Sequence, residues 1–253
     1  MELSTQKLSQ LLDPLGVNLH YFKETSSTNT CAKEAPASGA SFDLFITECQ
    51  SSGYGQHQRA WSSPLGNLAM TLLARRPDVY NADRYKMPLV VGIAVRRAIA
   101  AVVVSGLSLK WPNDIFVDGR KIGGILIENA AGESLAIGIG LNVNSQLSDF
   151  EESVRPERMT LLEKLGHEID REELVVDIVK NIQQVMKELK RGNWNQLIEE
   201  YRQHSFLTRK PVNVSDGSTG TVLGIADDGQ LQVRLADGSL RLIAAVDVSV
   251  KPL

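Results

Sequence analysis

Four side chains that could bind an anionic ligand lie near one another in the middle of the sequence: Lys110, Asn113, Asp114 and Lys121. Apolar residues alternate before Pro112-Asn113-Asp114, which predicts a strand and a turn, and Asp118-Gly119 predicts a hairpin. The next strand contains Gly123-Gly124, and paired glycines in a strand indicate close approach of another group to the backbone. A cation, an amide, a carboxylate and bare backbone suit a phosphate-bearing ligand. A tight antiparallel meander with solvated charges is the alternative interpretation.

A second polar cluster, residues 25 to 30, consists of hydroxyl and amide side chains before a predicted helix from Cys31 to Ala37. Such side chains commonly cap the free N–H groups of a helix N-terminus. They can also form a small polar pocket, because hydroxyls and an amide supply both donors and acceptors.

A polar loop follows at residues 51 to 64, with Gly53, Gly55, Arg59 and Trp61 between two predicted strands. A stretch of this composition is typical of a mobile surface loop.

The strand predicted at residues 135 to 144 has two different faces. Large aliphatic side chains lie on one face, and the other carries only Ala136, Gly138, Gly140 and two asparagines, Asn142 and Asn144. This asymmetry favours a floor for a flat ligand over a bulge-prone sheet centre.

The elements that must position these groups follow from apolar periodicity. Helices are predicted at residues 3–12, 84–104, 174–190 and 194–204, with a further helix beginning at Thr160; strands are predicted at 19–22, 44–50 and 67–73. From Pro211 onward, short apolar strands are separated by turn signals at 215–217, 227–229 and 236–238. That pattern is typical of a small meandering barrel.

Composition narrows the function classes. The 253 residues are 43% hydrophobic with a net charge of −3, enough for a large core and without the basic surface that nucleic acid requires. Cys31 and Cys49 are too few for a disulfide framework and have no metal-ligand spacing. Without an apolar leader or a long apolar run, the sequence predicts a cytoplasmic protein that binds neither membrane nor DNA.

The motifs taken together resemble the biotin protein ligase family. Lys-Trp-Pro-Asn-Asp followed by Arg-Lys-Ile-Gly-Gly-Ile-Leu-Ile-Glu is similar to the family's central motif, Ser-Ser-Thr-Asn to its biotin-ring motif, and residues 50 to 64 to its adenylate-binding loop. The resemblance covers about residues 19 to 250. Because it begins near residue 19, it implies the monofunctional type, without an N-terminal DNA-binding domain.

The resemblance implies a role for each candidate residue. Lys121, Arg59 and Asp114 would be catalytic, with Asp114 also the candidate Mg²⁺ ligand. The biotin-binding set would be Ser27, Thr28, Asn29, Gln50, Gly53, Lys121, Gly123 and Gly124. The set for ATP and the adenylate would be Tyr54, Gln56, Arg59, Trp61, Lys110, Asn113, Asp114 and Asn142.

Three loop positions depart from the family pattern. Tyr54 stands where the family commonly has Arg or Lys, Gln56 where it has Arg, and Gln58 where it has Gly. Glutamine donates hydrogen bonds to phosphate without charge, and charge-assisted bonds are about twice as strong. The sequence therefore predicts weaker retention of a reactive adenylate.

The implied architecture is an α+β fold: a mixed β-sheet with helices, as in class II synthetases and biotin ligases (residues 1–205), followed by an SH3-like β-barrel (206–253). The implied reaction activates biotin with ATP and Mg²⁺ to biotinyl-5′-AMP and transfers biotin to a lysine of a biotin carboxyl carrier protein, a subunit of acetyl-CoA carboxylase. A lipoate-type acyl ligase and a non-catalytic biotinyl-adenylate binding protein remain as alternatives. The sequence leaves the oligomeric state open, a homodimer included.

Overall fold

The computed structural model describes residues 2–36, 38–75, 84–214, 217–244 and 250–252. Its helices are α1 Thr5–Leu12, α2 Thr28–Glu34, α3 Met87–Ala100, α4 Leu161–Leu165, α5 Arg171–Lys190 and α6 Trp194–Gln203. Its first seven strands are β1 Val17–Thr25, β2 Phe42–Gln50, β3 Leu68–Ala74, β4 Leu107–Lys110, β5 Asp114–Val117, β6 Arg120–Ala130 and β7 Ser134–Leu141. The last five are β8 Pro211–Val214, β9 Thr219–Ile225, β10 Leu231–Leu235, β11 Leu240–Ile243 and β12 Val250–Pro252.

The first seven strands form one mixed sheet in the order β1-β2-β3-β7-β6-β5-β4. Only β1 and β2 pair in parallel, and α2 connects them; the other neighbours are antiparallel. Because β4, β5 and β6 are joined by short turns, the polar residues of those turns lie close together. The predicted mixed sheet is confirmed.

Several predicted helix boundaries differ from the structure, among them those of α2 and α3. Helix α2 begins at Thr28, three residues before Cys31, because Ser27 has extended backbone angles and is the N-cap; Ala37 lies outside the described residues. Its polar side chains therefore lie within the first turn, and the Ser27 side chain makes no capping bond. Helix α3 begins at Met87 after a 3₁₀ turn and ends at Ala100, so the predicted helix was too long at both ends.

The two faces of the large sheet have different coverings. Helix α3 packs on β4, β5 and β6, and α5 and α6 pack against α3. The main core fills this side with aliphatic side chains from the sheet and these helices. On the opposite face, α2 packs on β2, β3, β6 and β7 over a small second cluster that includes Phe45 and Ala136. The uncovered part of that face is where the polar residues gather.

The five C-terminal strands form a separate antiparallel sheet, ordered β11-β10-β9-β8-β12, consistent with the predicted SH3-like domain. The turns at 227–229 and 236–238 are present with Gly229 and Gly238 at positive φ, whereas Ser215 and Asp216 lie outside the described residues.

Backbone bonds join β4 to the segment that leads into this sheet, and a side-chain bond joins Trp111 to the turn between β9 and β10. The Leu109 N–H donates to His204 O (2.8 Å), the Phe206 N–H donates to Leu109 O (2.8 Å), and the Trp111 indole N–H donates to Gly229 O (3.0 Å). The buried side chains of both sheets belong to one continuous core. The division at residue 205 remains a prediction. Among the described helices, none has the length and hydropathy that crossing a membrane requires.

Candidate functional site

A cavity of about 580 Å³ opens on the α2 face of the large sheet. Thirteen of the predicted site residues line it: Ser27, Thr28, Asn29, Gln50, Tyr54, Gln56, Arg59, Trp61, Lys110, Asn113, Asp114, Lys121 and Gly124. Its volume lies within the usual range of about 300–1,000 Å³ for small-molecule sites. The structure therefore brings most of the predicted site together.

One end of the cavity is built from the first turn of α2. The Thr28 N–H and hydroxyl both donate to Gln50 Oε1, at 2.9 and 3.2 Å. The Thr71 hydroxyl donates to Asn29 Oδ1 (2.6 Å), and Asn29 Nδ2 donates to Glu128 Oε2 (2.8 Å). Ser27, Thr28 and Asn29 are each less than 5% exposed. These bonds fix several donors and acceptors in a buried pocket suited to a compact polar ring.

Glu128 connects this polar end to the loop. Besides Asn29, its carboxylate accepts from Lys33 Nζ (2.8 Å) and the Tyr54 hydroxyl (2.9 Å). Burial acts to raise the pKa of Glu128, but the bonds from Lys33, Asn29 and Tyr54 outweigh it, so the pKa lies below its ordinary value. The carboxylate is therefore charged at neutral pH and holds Tyr54 and Asn29 in place.

Two glycines of β7 make room for these side chains. A Cβ at Gly138 would lie 2.2 Å from Asn29 Oδ1, and one at Gly140 would lie 2.4 Å from the Trp61 ring. The small-residue face is therefore present, with Asn29 and Trp61 lying directly on it. The floor that a flat ligand would meet includes these side chains as well as bare backbone.

The two central hairpins place a lysine–aspartate pair in the same cavity, beside Gly124 of β6. Lys121 Nζ lies 2.5 Å from Asp114 Oδ1 and 5.5 Å from the Trp61 ring centroid. Asn113 Nδ2 donates to Ile125 O (2.7 Å), and the Ile125 N–H donates to Asn113 O (2.9 Å). A Cβ at Gly124 would come within 3.5 Å of both Lys121 Nζ and Asp114 Oδ1, so this glycine keeps the pair accessible.

The loop forms a small closed turn over one side of the cavity. A bridge pairs Tyr54 with Ala60, the Gly55 N–H donates to Arg59 O (2.8 Å), and the Trp61 N–H donates to Gly53 O (2.9 Å). Arg59 and Gln58 are exposed, and only Arg59 of these two lines the cavity.

Arg158 is a cavity residue that sequence reasoning missed. Its guanidinium Cζ lies 5.2 Å from the Trp61 ring centroid. It comes from an irregular segment whose backbone pairs with Lys121, and no motif marks it in the sequence. Thr71 and Glu128, which bond to Asn29 behind the cavity lining, were also missed. They do leave a signal, because each is a polar residue within an apolar strand.

Three predicted site residues do not line the cavity. Asn142 is 1% exposed and its Nδ2 donates to Met159 O (3.1 Å), so its position does not support a role in reading the nucleotide. Gly123 lies against β7, where a Cβ would meet Gly140 O at 2.9 Å. Gly53 lies beneath Gln50 and Trp61, where a Cβ would meet Gln50 Nε2 at 2.6 Å. Both glycines shape the site through packing.

Asp114 is the cavity's candidate for a metal ligand. Within the described ranges, no group of three or more His, Cys, Asp or Glu side chains could hold a metal ion. A protein-enclosed metal centre is therefore not formed by these residues. A magnesium ion held by one carboxylate and by substrate phosphates needs no such group.

Comparisons with known proteins agree with this geometry. The model of the biotin/lipoate A/B protein ligase family matches residues 21–144, and that of the biotin protein ligase C-terminal domain matches residues 210–251. The chain is 31% identical to the biotin–[acetyl-CoA-carboxylase] ligase of Mycobacterium tuberculosis, covering 89% of this chain and 86% of that one. It is 29% identical to the bifunctional ligase/repressor BirA of Bacillus subtilis, covering 91% and 74%.

Among solved structures, the fold matches the biotin protein ligase from Aquifex aeolicus in complex with biotin and ATP. The TM-score is 0.84 at 27% identity, over 93% of this chain and 99% of that chain.

Proposed function

Because the chain belongs to the biotin protein ligase family, we propose that its cavity binds biotin and ATP, forms biotinyl-5′-AMP and passes biotin to a lysine of a carrier protein. The observation that carries this proposal is the chemical division of one cavity. Hydroxyl and amide groups at positions 27 to 29 form one part of its lining, over Gly138, and Lys121 with Asp114 forms another, beside Gly124. Biotin-5′-adenylate has the matching division: a ureido ring at one end and an acyl phosphate further along.

In the first step, a biotin carboxylate oxygen attacks the α-phosphorus of ATP, and the bond to pyrophosphate breaks. Negative charge develops on the phosphoryl oxygens, so a fixed cation within reach lowers the barrier. Lys121 is the residue we assign to that task, with Arg59 at the phosphates. The ion pair with Asp114 holds Lys121 Nζ in place before the ligand binds.

In the second step, the carrier lysine amine attacks the acyl carbon, and AMP leaves with the electron pair of the acyl–oxygen bond. We assign Asp114 to orienting that amine or to binding Mg²⁺ together with the phosphates, since Mg²⁺ usually takes few carboxylates from the protein. The acceptor we assign is a biotin carboxyl carrier protein, which is a subunit of acetyl-CoA carboxylase.

Pyrophosphate release tests the activity. Release that requires both biotin and ATP is the expected result, and binding of biotin without release would instead support a non-catalytic binding protein. Calorimetry with biotin and with lipoate tests the acyl group. Preference for lipoate would overturn the assignment of residues 27 to 29 to the ureido ring.

Replacing Gln56 with arginine should slow dissociation of the adenylate. Gln56 lines the cavity without charge. A charge-assisted bond in its place should contribute on the order of 1–2 kcal/mol, or a roughly five- to thirtyfold slower off-rate. Low-level labelling of bystander lysines by the unmodified enzyme should fall accordingly, while transfer to the carrier keeps its rate.

Gln58→Arg is the matched control, because Gln58 belongs to the same loop but does not line the cavity. Equal off-rates for the unmodified protein and Gln56→Arg would show that position 56 does not contact the phosphate.

A further inference from the structure

The cationic side chains around the cavity differ in whether they already have a partner and could therefore bind a phosphate. Lys121 is already paired with Asp114 at 2.5 Å. The loop offers Arg59, which is exposed, while position 56 is neutral and the Tyr54 hydroxyl is bonded to Glu128. An anionic ligand between these groups therefore gains little compensating charge from the loop itself.

Arg158 differs from these cations. It lines the cavity, and its Nη1 is buried with no hydrogen-bond partner among the described residues. Burial lowers the pKa of its guanidinium, partly offset by Asp114 and Glu157, so the charge is incompletely compensated. A buried donor without a protein partner is destabilising, and a ligand acceptor beside it would relieve that cost.

The surroundings also fix where this guanidinium lies. Residues 158 and 121 pair through their backbones, and the Met159 N–H donates to Lys121 O (3.0 Å). The Trp61 ring lies 5.2 Å from Arg158 Cζ and 5.5 Å from Lys121 Nζ, near both cations. Arginine suits such a position because its planar fork can donate two parallel bonds to one phosphate.

We propose that Arg158 binds the phosphate of the acyl-adenylate, supplying a cationic contact beside Lys121 that the loop positions 54 and 56 do not provide. This assignment rests on the proposed function. It extends the site to a residue outside the motifs that lies beside two motif residues, pairing with Lys121 through the backbone and packing near the Trp61 ring.

The test measures binding of two biotinyl-adenosine analogues, one joined by a charged phosphate ester and one by an uncharged linker. Arg158→Met should weaken binding of the charged analogue by about tenfold, the usual effect of losing a hydrogen bond to a charged group, and change binding of the uncharged one by less than about twofold. Arg158→Lys should fall between, since a lysine keeps the charge without the fork. When Gln56→Arg is already present, Arg158→Met should weaken binding of the charged analogue by a smaller factor, because the new arginine supplies a charged contact of its own.

Arg155→Met is the matched control. Its guanidinium donates to Phe150 O and Ser148 O within the same segment, outside the cavity lining. This variant should not distinguish the two analogues.

Two results would overturn the assignment of Arg158 and leave the proposed function standing. One is an unchanged affinity of Arg158→Met for the charged analogue, and the other is an equal loss of affinity for both analogues. The second would show that Arg158 only packs against Trp61. The ratio of the two affinities does not depend on how much of a variant is folded, so reduced stability does not hide the answer. If the unmodified protein binds neither analogue and releases no pyrophosphate, the proposed function fails, and this assignment fails with it.

Discussion

Lys121→Ala is expected to lower the rate of pyrophosphate release at least about a thousandfold, in the range found when an enzyme loses a fixed cation or donor at the reacting group. Affinity for biotin should change no more than a few fold, because the groups proposed to bind the ring, at positions 27 to 29, lie at the start of α2, where Thr28 and Asn29 bond to Gln50, Thr71 and Glu128. Pyrophosphate release and biotin calorimetry measure the two effects separately.

Lys164→Ala is the matched control. Lys164 also pairs with an aspartate of the central hairpins, Asp118, at 2.7 Å, but neither residue lines the cavity. Its loss should leave pyrophosphate release nearly unchanged. Retained release in Lys121→Ala would remove Lys121 from the reaction, and similar losses in both variants would indicate a general effect of breaking an ion pair in this region.

Gly138→Ala should weaken biotin binding at least about thirtyfold. The new Cβ would lie 2.2 Å from Asn29 Oδ1, so the Asn29 side chain must move. Moving it takes the Asn29 amide out of the position that its bonds to Thr71 and Glu128 hold, so the bound ring loses its hydrogen bonds to Asn29. Each such lost bond in a buried site costs about 1–3 kcal/mol, and about 1.4 kcal/mol is tenfold in affinity. Calorimetry with biotin alone gives the affinity.

Gly39→Ala is the control here, since a Cβ at Gly39 meets nothing within 4 Å and its φ is not in the left-handed range. Biotin affinity equal to that of the unmodified protein in Gly138→Ala would mean that Asn29 does not contact the ring.

The sequence predicted the parts of the site that depend on local pattern. Turn residues at Pro112-Asn113-Asp114 and Asp118-Gly119 predicted the hairpins that bring Lys121 to Asp114, because turn chemistry acts over a few residues. Alternation in β7 likewise predicted a face stripped of side chains at Gly138 and Gly140.

What the sequence could not predict depends on distant contacts. Asn142 follows the same alternation as Gly138 and Gly140, yet it lies past the end of β7, where its side chain turns to Met159 O. Arg158 reaches the cavity from an irregular segment that pairs with Lys121, a contact between residues 37 positions apart in the sequence. The start of α2 at Thr28 depends on one extended residue, Ser27, within a run of similar hydroxyls.

The bond from the Trp111 indole to Gly229 O also bears on how the protein is made. Trp111 directly precedes the turn that carries Asn113 and Asp114, and it is 1% exposed. During synthesis, this indole N–H has no partner until residue 229 has left the ribosome, because its acceptor is the Gly229 carbonyl. The backbone N–H and C=O of Leu109 likewise have no partners until residues 204 and 206 have been made. The bonds of residues 109 and 111 therefore form only after residues 204, 206 and 229 have been synthesised, and a chain interrupted before residue 229 lacks the Trp111 bond beside this turn.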